Sequence, residues 1–275
     1  MWQLSGFADE ISADFAEQCR LLRTLGMHHL ELRSARDTNV LDLDEAQLTE
    51  VARLLASNEI AVSSIGSPIG KIFLDEDFTT HLARMRHAAD IARRLDAGYI
   101  RIFSFFMRPG IDPGSCRDDV LRRLAQLTAI AESRDIVLIH ENEKDIYGDI
   151  PVRCLDIVES IGSDHLRVAW DPANFVQVGC APHDQGYDLL RSYLVYMQIK
   201  DAVAATGAVV PAGHGDGQVL ETVRALHANG FDGFFSLEPH LGIGHRMGGF
   251  SGPALFTKAW RAFIEMLNTE GIQYR

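Results

Sequence analysis

Short apolar runs alternate with helix-spaced apolar positions from one end of the chain to the other. Runs of β type fall at 2–8, 29–33, 60–65, 99–104, 136–141, 166–171, 196–200 and 233–238. Between them, apolar residues recur at i, i+3 and i+4, as in Phe15, Cys19, Leu22 and Leu25, or Leu121, Leu124, Leu127 and Ile130. That spacing lines one face of an amphipathic helix. Ser12 and Asp44 stand where N-caps are needed, and Gly26 and Gly230 where helices must stop before the next strand. Alternating β and α segments imply a parallel sheet, and eight such units without a linker predict a closed (β/α)8 TIM barrel, a single domain over 1–275. The competing doubly wound sheet would carry a glycine-rich phosphate turn after its first strand, and Phe7-Ala-Asp-Glu-Ile-Ser12 has none.

Composition narrows the function more than the fold. With 26 Lys and Arg against 38 Asp and Glu, the formal charge is −12. Phosphate neutralisation needs clustered cations, so the balance argues against a nucleic-acid partner and fits a small-molecule substrate. Cys19, Cys116, Cys154 and Cys180 form no ligand spacing and read as reduced thiols. The N-terminus lacks a signal-peptide pattern, and no apolar run reaches the roughly 18 to 20 residues of a membrane span. A cytoplasmic protein with no membrane partner is therefore expected.

In such a barrel, chemistry sits where strands finish. Strand five ends at Glu141, strand six at Asp171 and strand eight at Glu238, while strand seven carries Gln198 and Lys200. From Glu141 through Asp171 and Gln198 to Glu238 the steps are 30, 27 and 40 residues, each about one βα unit. Period-two alternation puts Ile139 with Glu141, Ala169 with Asp171, and Ser236 with Glu238 on shared faces. Any one of these acids alone reads as a helix cap or a solvated loop residue. Together at one rim they would repel each other without a cation. Three carboxylates plus the Gln198 carbonyl make an oxygen-only ligand set, which suits Mn²⁺ or Mg²⁺ better than Zn²⁺ or Co²⁺.

The chain resembles the sugar phosphate isomerases and epimerases of the xylose isomerase-like TIM-barrel superfamily over essentially its whole length. The resemblance is carried by Phe7-Ala-Asp-Glu-Ile, Ser67-Pro-Ile-Gly-Lys71, Arg101-Ile-Phe-Ser, His140-Glu-Asn-Glu, Asp171-Pro-Ala-Asn-Phe, Ile199-Lys-Asp, Pro211-Ala-Gly-His-Gly-Asp-Gly and Ser236-Leu-Glu-Pro-His-Leu. It implies one divalent ion held by Glu141, Asp171, Gln198 and Glu238, with the two glutamates doubling as catalytic acid and base. Many relatives place His at the position of Gln198 and another at that of Asn174. Those departures put a direct transfer of ketose 3-epimerase activity in doubt. The DNA-cleaving endonuclease IV branch needs a His-rich multi-zinc site, which this chain does not supply.

The expected activity is proton abstraction from an α-hydroxy ketone or aldehyde through an enediolate, returned to the same carbon (epimerisation) or its neighbour (isomerisation). With a β leaving group the same machinery eliminates, giving a dehydratase or lyase. A non-catalytic binding barrel is the remaining alternative. Substrate contacts are expected from Glu143 nearer the mouth, Lys200, Asn174 and His240. His214, in Gly213-His-Gly-Asp-Gly217, reads equally as a substrate contact or a turn residue. Glu31, Arg33 and Arg101 read equally as interior ion pairs or substrate holders. His140 is expected to pack. The loop 64–73 is expected to cover the site as a mobile or strained segment. A homo-oligomer is compatible with Phe250, Phe256, Trp260 and Phe263, although their spacing by default packs the last helix on the barrel.

Overall fold

The computed structural model describes residues 1–242 and 249–275. Its strands are β1 (Gln3–Gly6), β2 (His29–Leu32), β3 (Ala61–Ile65), β4 (Tyr99–Ile102), β5 (Val137–Glu141), β6 (Leu166–Trp170), β7 (Leu194–Ile199) and β8 (Phe234–Leu237). They form one all-parallel sheet in the order β1-β8-β7-β6-β5-β4-β3-β2. The ring closes between β1 and β2 through an isolated parallel bridge, Phe7 opposite Glu31. This is the expected (β/α)8 barrel.

Helices α1 (Phe15–Thr24), α2 (Glu45–Ser57), α3 (Phe78–Arg94), α4 (Pro113–Glu132) and α5 (Pro151–Ile161) follow the first five strands. The short α6 (Pro172–Gln177) follows β6, α7 (Val219–Ala228) follows β7, and α8 (Gly252–Thr269) follows β8. The predicted stripes face inward: Phe15, Cys19 and Leu22 on α1, and Leu124 and Leu127 on α4, are buried. Each fully buried leucine stabilises the layer by roughly 1.5–3 kcal/mol. Asp44 and Gln47 form a complete capping box at the start of α2. At α1 the cap is Asp14, which accepts from Ala16 N at 2.8 Å, and Ser12 instead accepts from Asp14 N. A hydroxyl two residues further out cannot reach the free amides of the first turn. Phe256 and Phe263 are wholly buried between α8 and the barrel, as their spacing requires.

Inside the barrel the chemistry changes with height. Ile139, Ala169 and Tyr196 pack with Tyr99 and Phe234. Above them the Tyr196 hydroxyl lies 2.8 Å from Ser63 Oγ, itself 2.6 Å from Ser5 Oγ. At the C-terminal mouth the interior is ionic.

Two loops frame that mouth, and both are fixed from within. The segment after β3 is pinned rather than mobile. Ser67 Oγ donates to Arg101 O at 2.5 Å, Phe103 N to Ile69 O at 2.8 Å, and Gly70 N to His81 Nε2 at 2.7 Å. Gly70 has φ +90°, and a Cβ there would lie 2.0 Å from Phe103 O, so only glycine fits. After β7, the glycine-rich loop curls around a carboxylate of its own chain. Asp201 Oδ2 accepts from Gly213 N and Gly215 N, each at 3.0 Å, while Oδ1 accepts from Gly217 N and Ala202 N, each at 2.8 Å. The amides that might have cradled a phosphate are already satisfied.

Two predictions follow from these fixed loops. Asp201→Ala leaves buried N–H groups without acceptors and should lower the unfolding free energy by about 3 kcal/mol, read by urea denaturation. His81 is kept neutral, its pKa drawn down to about 4 chiefly by burial, then by Arg84 and Arg123. Its folded pKa lies below its unfolded one, so the unfolded chain takes the proton first as pH falls. Stability from this group is complete above about pH 6.5 and is lost towards pH 4 at about 1.4 kcal/mol per unit. Relative to His81→Gln, whose amide still accepts from Gly70, the native chain should lose ground by that slope in urea melts across this window; parallel curves would refute it.

Candidate metal centre and acid–base site

The acids expected at the strand ends do meet. Glu141, Asp171 and Glu238 each place an oxygen within 4.8 Å of the others. They are 2 %, 0 % and 3 % exposed, and Gln198 is fully buried beside them. Each arrives on the inward face of its strand, as alternation requires. The tops of β5 and β6 are tied by a reciprocal pair: Asn142 Nδ2 donates to Asp171 O at 2.8 Å, and Asp171 N to Asn142 Oδ1 at 2.9 Å. Asp171 Oδ1 also caps α6 by accepting from Asn174 N at 2.9 Å, which leaves Oδ2 for the mouth. Asp171 is thus a helix cap that also lies beside the acids of the mouth.

Cations interleave the acids. Lys200 Nζ lies 2.7 Å from Asp171 Oδ2 and 2.8 Å from Glu238 Oε2. Arg101 Nη1 lies 3.0 Å from Glu141 Oε2 and 3.8 Å from Glu238 Oε1, and Arg33 Nη1 lies 3.2 Å from the latter oxygen. Arg33 and Arg101 also sit over the Phe7 ring, at 4.4 and 4.7 Å from its centroid. Asp9 grips Arg33 with both oxygens, at 2.8 and 3.1 Å.

These positions fix the protonation tendencies. Burial raises Glu141 to about 8 against the pull of Arg101, with Glu238 and Asp171 adding to the rise. Burial likewise raises Asp171 to about 6, opposed by Lys200. Burial acts on Glu238 too, but Lys200, His240 and Arg101 outweigh it and hold that carboxyl well below its usual range. Burial disfavours charged Lys200, yet Asp171, Glu238, Glu141 and Glu143 keep it firmly protonated. Neighbouring carboxyls are thus pushed apart, the pattern that separates an acid from a base.

The donor set fits a hard divalent ion. Gln198 Oε1 is buried and accepts no hydrogen bond, while Glu141 Oε2 and Asp171 Oδ2 are buried and paired only with Arg101 and Lys200. A buried amide carbonyl with both lone pairs free, beside carboxylates raised by burial and mutual repulsion, is an environment short of positive charge. Glu141, Asp171, Gln198 and Glu238 are the residues able to hold the ion.

The remaining expected residues divide. Asn174 lies in the site, its Nδ2 3.4 Å from Glu141 Oε1 and 2.9 Å from Asn142 O. His240 stands at the edge, Nε2 3.3 Å from both Glu238 Oε1 and Glu10 Oε1. Glu143 is at the rim and pairs with Lys71 across the mouth at 3.3 Å; Lys71 also covers the Phe103 ring at 4.2 Å. Glu31 lies below the acids, with Gln198 Nε2 donating to its Oε2 at 3.1 Å. Glu31 and Arg101 are therefore interior partners of the site. His140 packs as expected, fully buried with Nε2 3.0 Å from Ser104 Oγ. His214 is not brought to the mouth: it is exposed, lining a groove with Lys258, Arg261 and Glu265 on the outer side of α8. Asp9 and Glu10 were given no role by strand-end reading. Glu10 is fully buried and accepts from His240 N and Ser251 Oγ, each at 2.8 Å. Their signal was the acidic pair placed directly after strand one, at the height of the other strand ends.

Known proteins agree with this architecture. Over 148 residues the chain is 30 % identical to 2-epi-5-epi-valiolone 7-phosphate 2-epimerase of Actinoplanes sp., covering 54 % of this chain and 52 % of that protein. The chain thus matches about half the length of that relative. Its fold superposes on a D-tagatose 3-epimerase-like protein with a TM-score of 0.79 at 16 % identity, over 97 % of each chain. It superposes on a xylose isomerase-like TIM-barrel protein from Mycobacterium smegmatis in complex with magnesium with a TM-score of 0.71 at 19 % identity, over 98 % of this chain and 96 % of the other. Among the described residues, no helix is long and apolar enough to cross a membrane. With residues 19–271 matching the family model as well, the chain belongs to the xylose isomerase-like TIM-barrel family.

Proposed function

We propose that this protein is a divalent-metal-dependent isomerase or epimerase of a small carbohydrate, a keto sugar or sugar phosphate. One observation carries the reading: three buried carboxylate oxygens converge at the mouth of the barrel, and Gln198, on the strand between those that end in Asp171 and Glu238, has a buried amide carbonyl without a hydrogen bond. The epimerase named among its relatives supports the same class.

Glu141, Asp171, Gln198 and Glu238 would hold one ion, Mn²⁺ or Mg²⁺ by the hardness of their oxygens. When bound, the ion supplies Lewis-acid stabilisation of the negative charge that develops when a carbon next to a carbonyl loses its proton. Glu141 and Glu238 reach the cavity from strands on different sides of the ring. One removes the proton and the other, protonated, returns it, to the same carbon or its neighbour. Lys200 and Arg101 keep the site near neutrality as charge moves, and they are fixed by ion pairs before substrate arrives. Glu143, Asn174 and His240 line the approach and are suited to sugar hydroxyls.

Protein stripped with chelator and dialysed should gain thermal stability on adding Mn²⁺. At a hundredfold excess over Kd the gain is about 2.7 kcal/mol, a Tm rise of roughly 5 to 10 °C. No shift with any divalent ion would sink the metal reading. Glu141→Gln and Glu238→Gln should each lower kcat by about 10²- to 10⁴-fold. Both should abolish deuterium uptake from D₂O into the substrate, followed by NMR over a panel of ketoses and keto sugars. Undiminished exchange in both variants would remove these glutamates from proton transfer, and olefinic product would redirect the assignment to elimination.

A further inference from the structure

Gln198 is the one neutral ligand in the proposed set, and an amide has two ends. Turned one way it presents a carbonyl oxygen to a cation; turned the other it presents an NH₂ group that repels it. The structure shows what settles the choice. Gln198 Nε2 donates to Glu31 Oε2 at 3.1 Å, and Ser236 Oγ donates to the same oxygen at 2.8 Å. Both donors end on the one carboxylate oxygen, so the amide nitrogen is held at that end. Gln198 Oε1, the other end of the amide, is buried with no hydrogen bond. Glu31 is 1 % exposed.

The backbone explains how an acid comes to be there. The β2–β3 register slips between Leu30 and Glu31, with Leu30 opposite Val62 and Glu31 opposite Ser64. The extra residue is Ser63 on β3, whose Oγ donates to Leu30 O at 3.0 Å, while Glu31 keeps the inward parity of β2. Glu31 also forms the bridge to Phe7 that closes the barrel, and Gln198 and Ser236 are register partners on β7 and β8. Its carboxylate therefore reaches across the seam from β2 to Gln198 on β7 and Ser236 on β8.

We infer that Glu31 is a positioning residue that locks the Gln198 amide with its carbonyl towards the metal, making a glutamine serve as a reliable ligand at this strand end. This rests on the divalent-ion reading above. Outer partners that orient a ligand typically govern metal affinity by about 10- to 100-fold.

The test is a double-mutant cycle read by calorimetric titration of Mn²⁺ into chelator-treated protein. Glu31→Leu should weaken binding by about 10- to 100-fold. In a Gln198→Met background, where there is no amide to orient, the same change should cost at most about twofold. Glu31→Gln guards against misfolding of the leucine variant. It keeps an acceptor but allows the paired amides to turn together, so it should lose only about twofold, as expected when one of two equal orientations binds. A direct attraction between the Glu31 charge and the ion predicts something different, namely a full loss in Glu31→Gln that persists when Gln198 is absent. That outcome, or unchanged affinity in Glu31→Leu, overturns the inference. Failure of the native protein to bind Mn²⁺ would instead overturn the metal reading itself.

Discussion

Everything at the mouth of this barrel depends on burying several carboxylates together. Asp9, Glu10, Glu31, Glu141, Glu143, Asp171 and Glu238 face Arg33, Lys71, Arg101 and Lys200, so among the described residues acids exceed cations. Buried charge of one sign is tolerable only when compensated at close range. The compensation explains features that otherwise look unrelated. Phe7 provides a ring for two guanidinium groups, Asp9 holds Arg33 by a two-oxygen fork, and Lys200 bridges two carboxylates from different strands. What is left over is a deficit of positive charge and an amide carbonyl without a donor, both facing one point.

The strand ends were legible in the sequence because a parallel barrel repeats one geometric rule. A side chain at the end of each strand, on the inward parity, must reach the mouth. That rule anticipated that Glu141, Asp171 and Glu238 would meet, without any contact information, and it separated packed His140 from its neighbour Glu141. It was blind to anything the strands do not determine. Glu10 and Asp9 lie in a short 3₁₀ turn after β1, where parity no longer applies. His214 follows β7 in sequence, but its loop is bent outward around Asp201, a long-range choice invisible to spacing. Glu31 was read only as an interior ion pair or a substrate holder, because its partners Gln198 and Ser236 stand far away in sequence, which spacing does not reveal.

The helices show the same division. Their faces were readable because burial imposes a period, and Asp44, read as an N-cap, does cap α2, where it closes a capping box with Gln47. Asp14 displaced Ser12 as a cap because helix α1 begins later than the first polar residue, and boundaries are set by tertiary packing rather than by local preference alone. The cover over the site read as mobile or strained from its glycines and proline. Its glycines instead allow close approach: Gly66 to Phe7 and Arg33, Gly70 to the Phe103 carbonyl. Glycine content alone does not tell freedom from tightness.

The loop around Asp201 has a consequence best put as host–guest chemistry. Its glycine amides form a small anion receptor, and the guest is a side chain of the same polypeptide. A tethered guest acts at an effective concentration set by geometry rather than by supply. A free phosphate or sulfate at cellular levels therefore competes poorly for these amides. The receptor is self-saturating, and a run of residues that reads like an anion-binding loop spends its capacity holding the end of β7, and with it Lys200, in register with the acids.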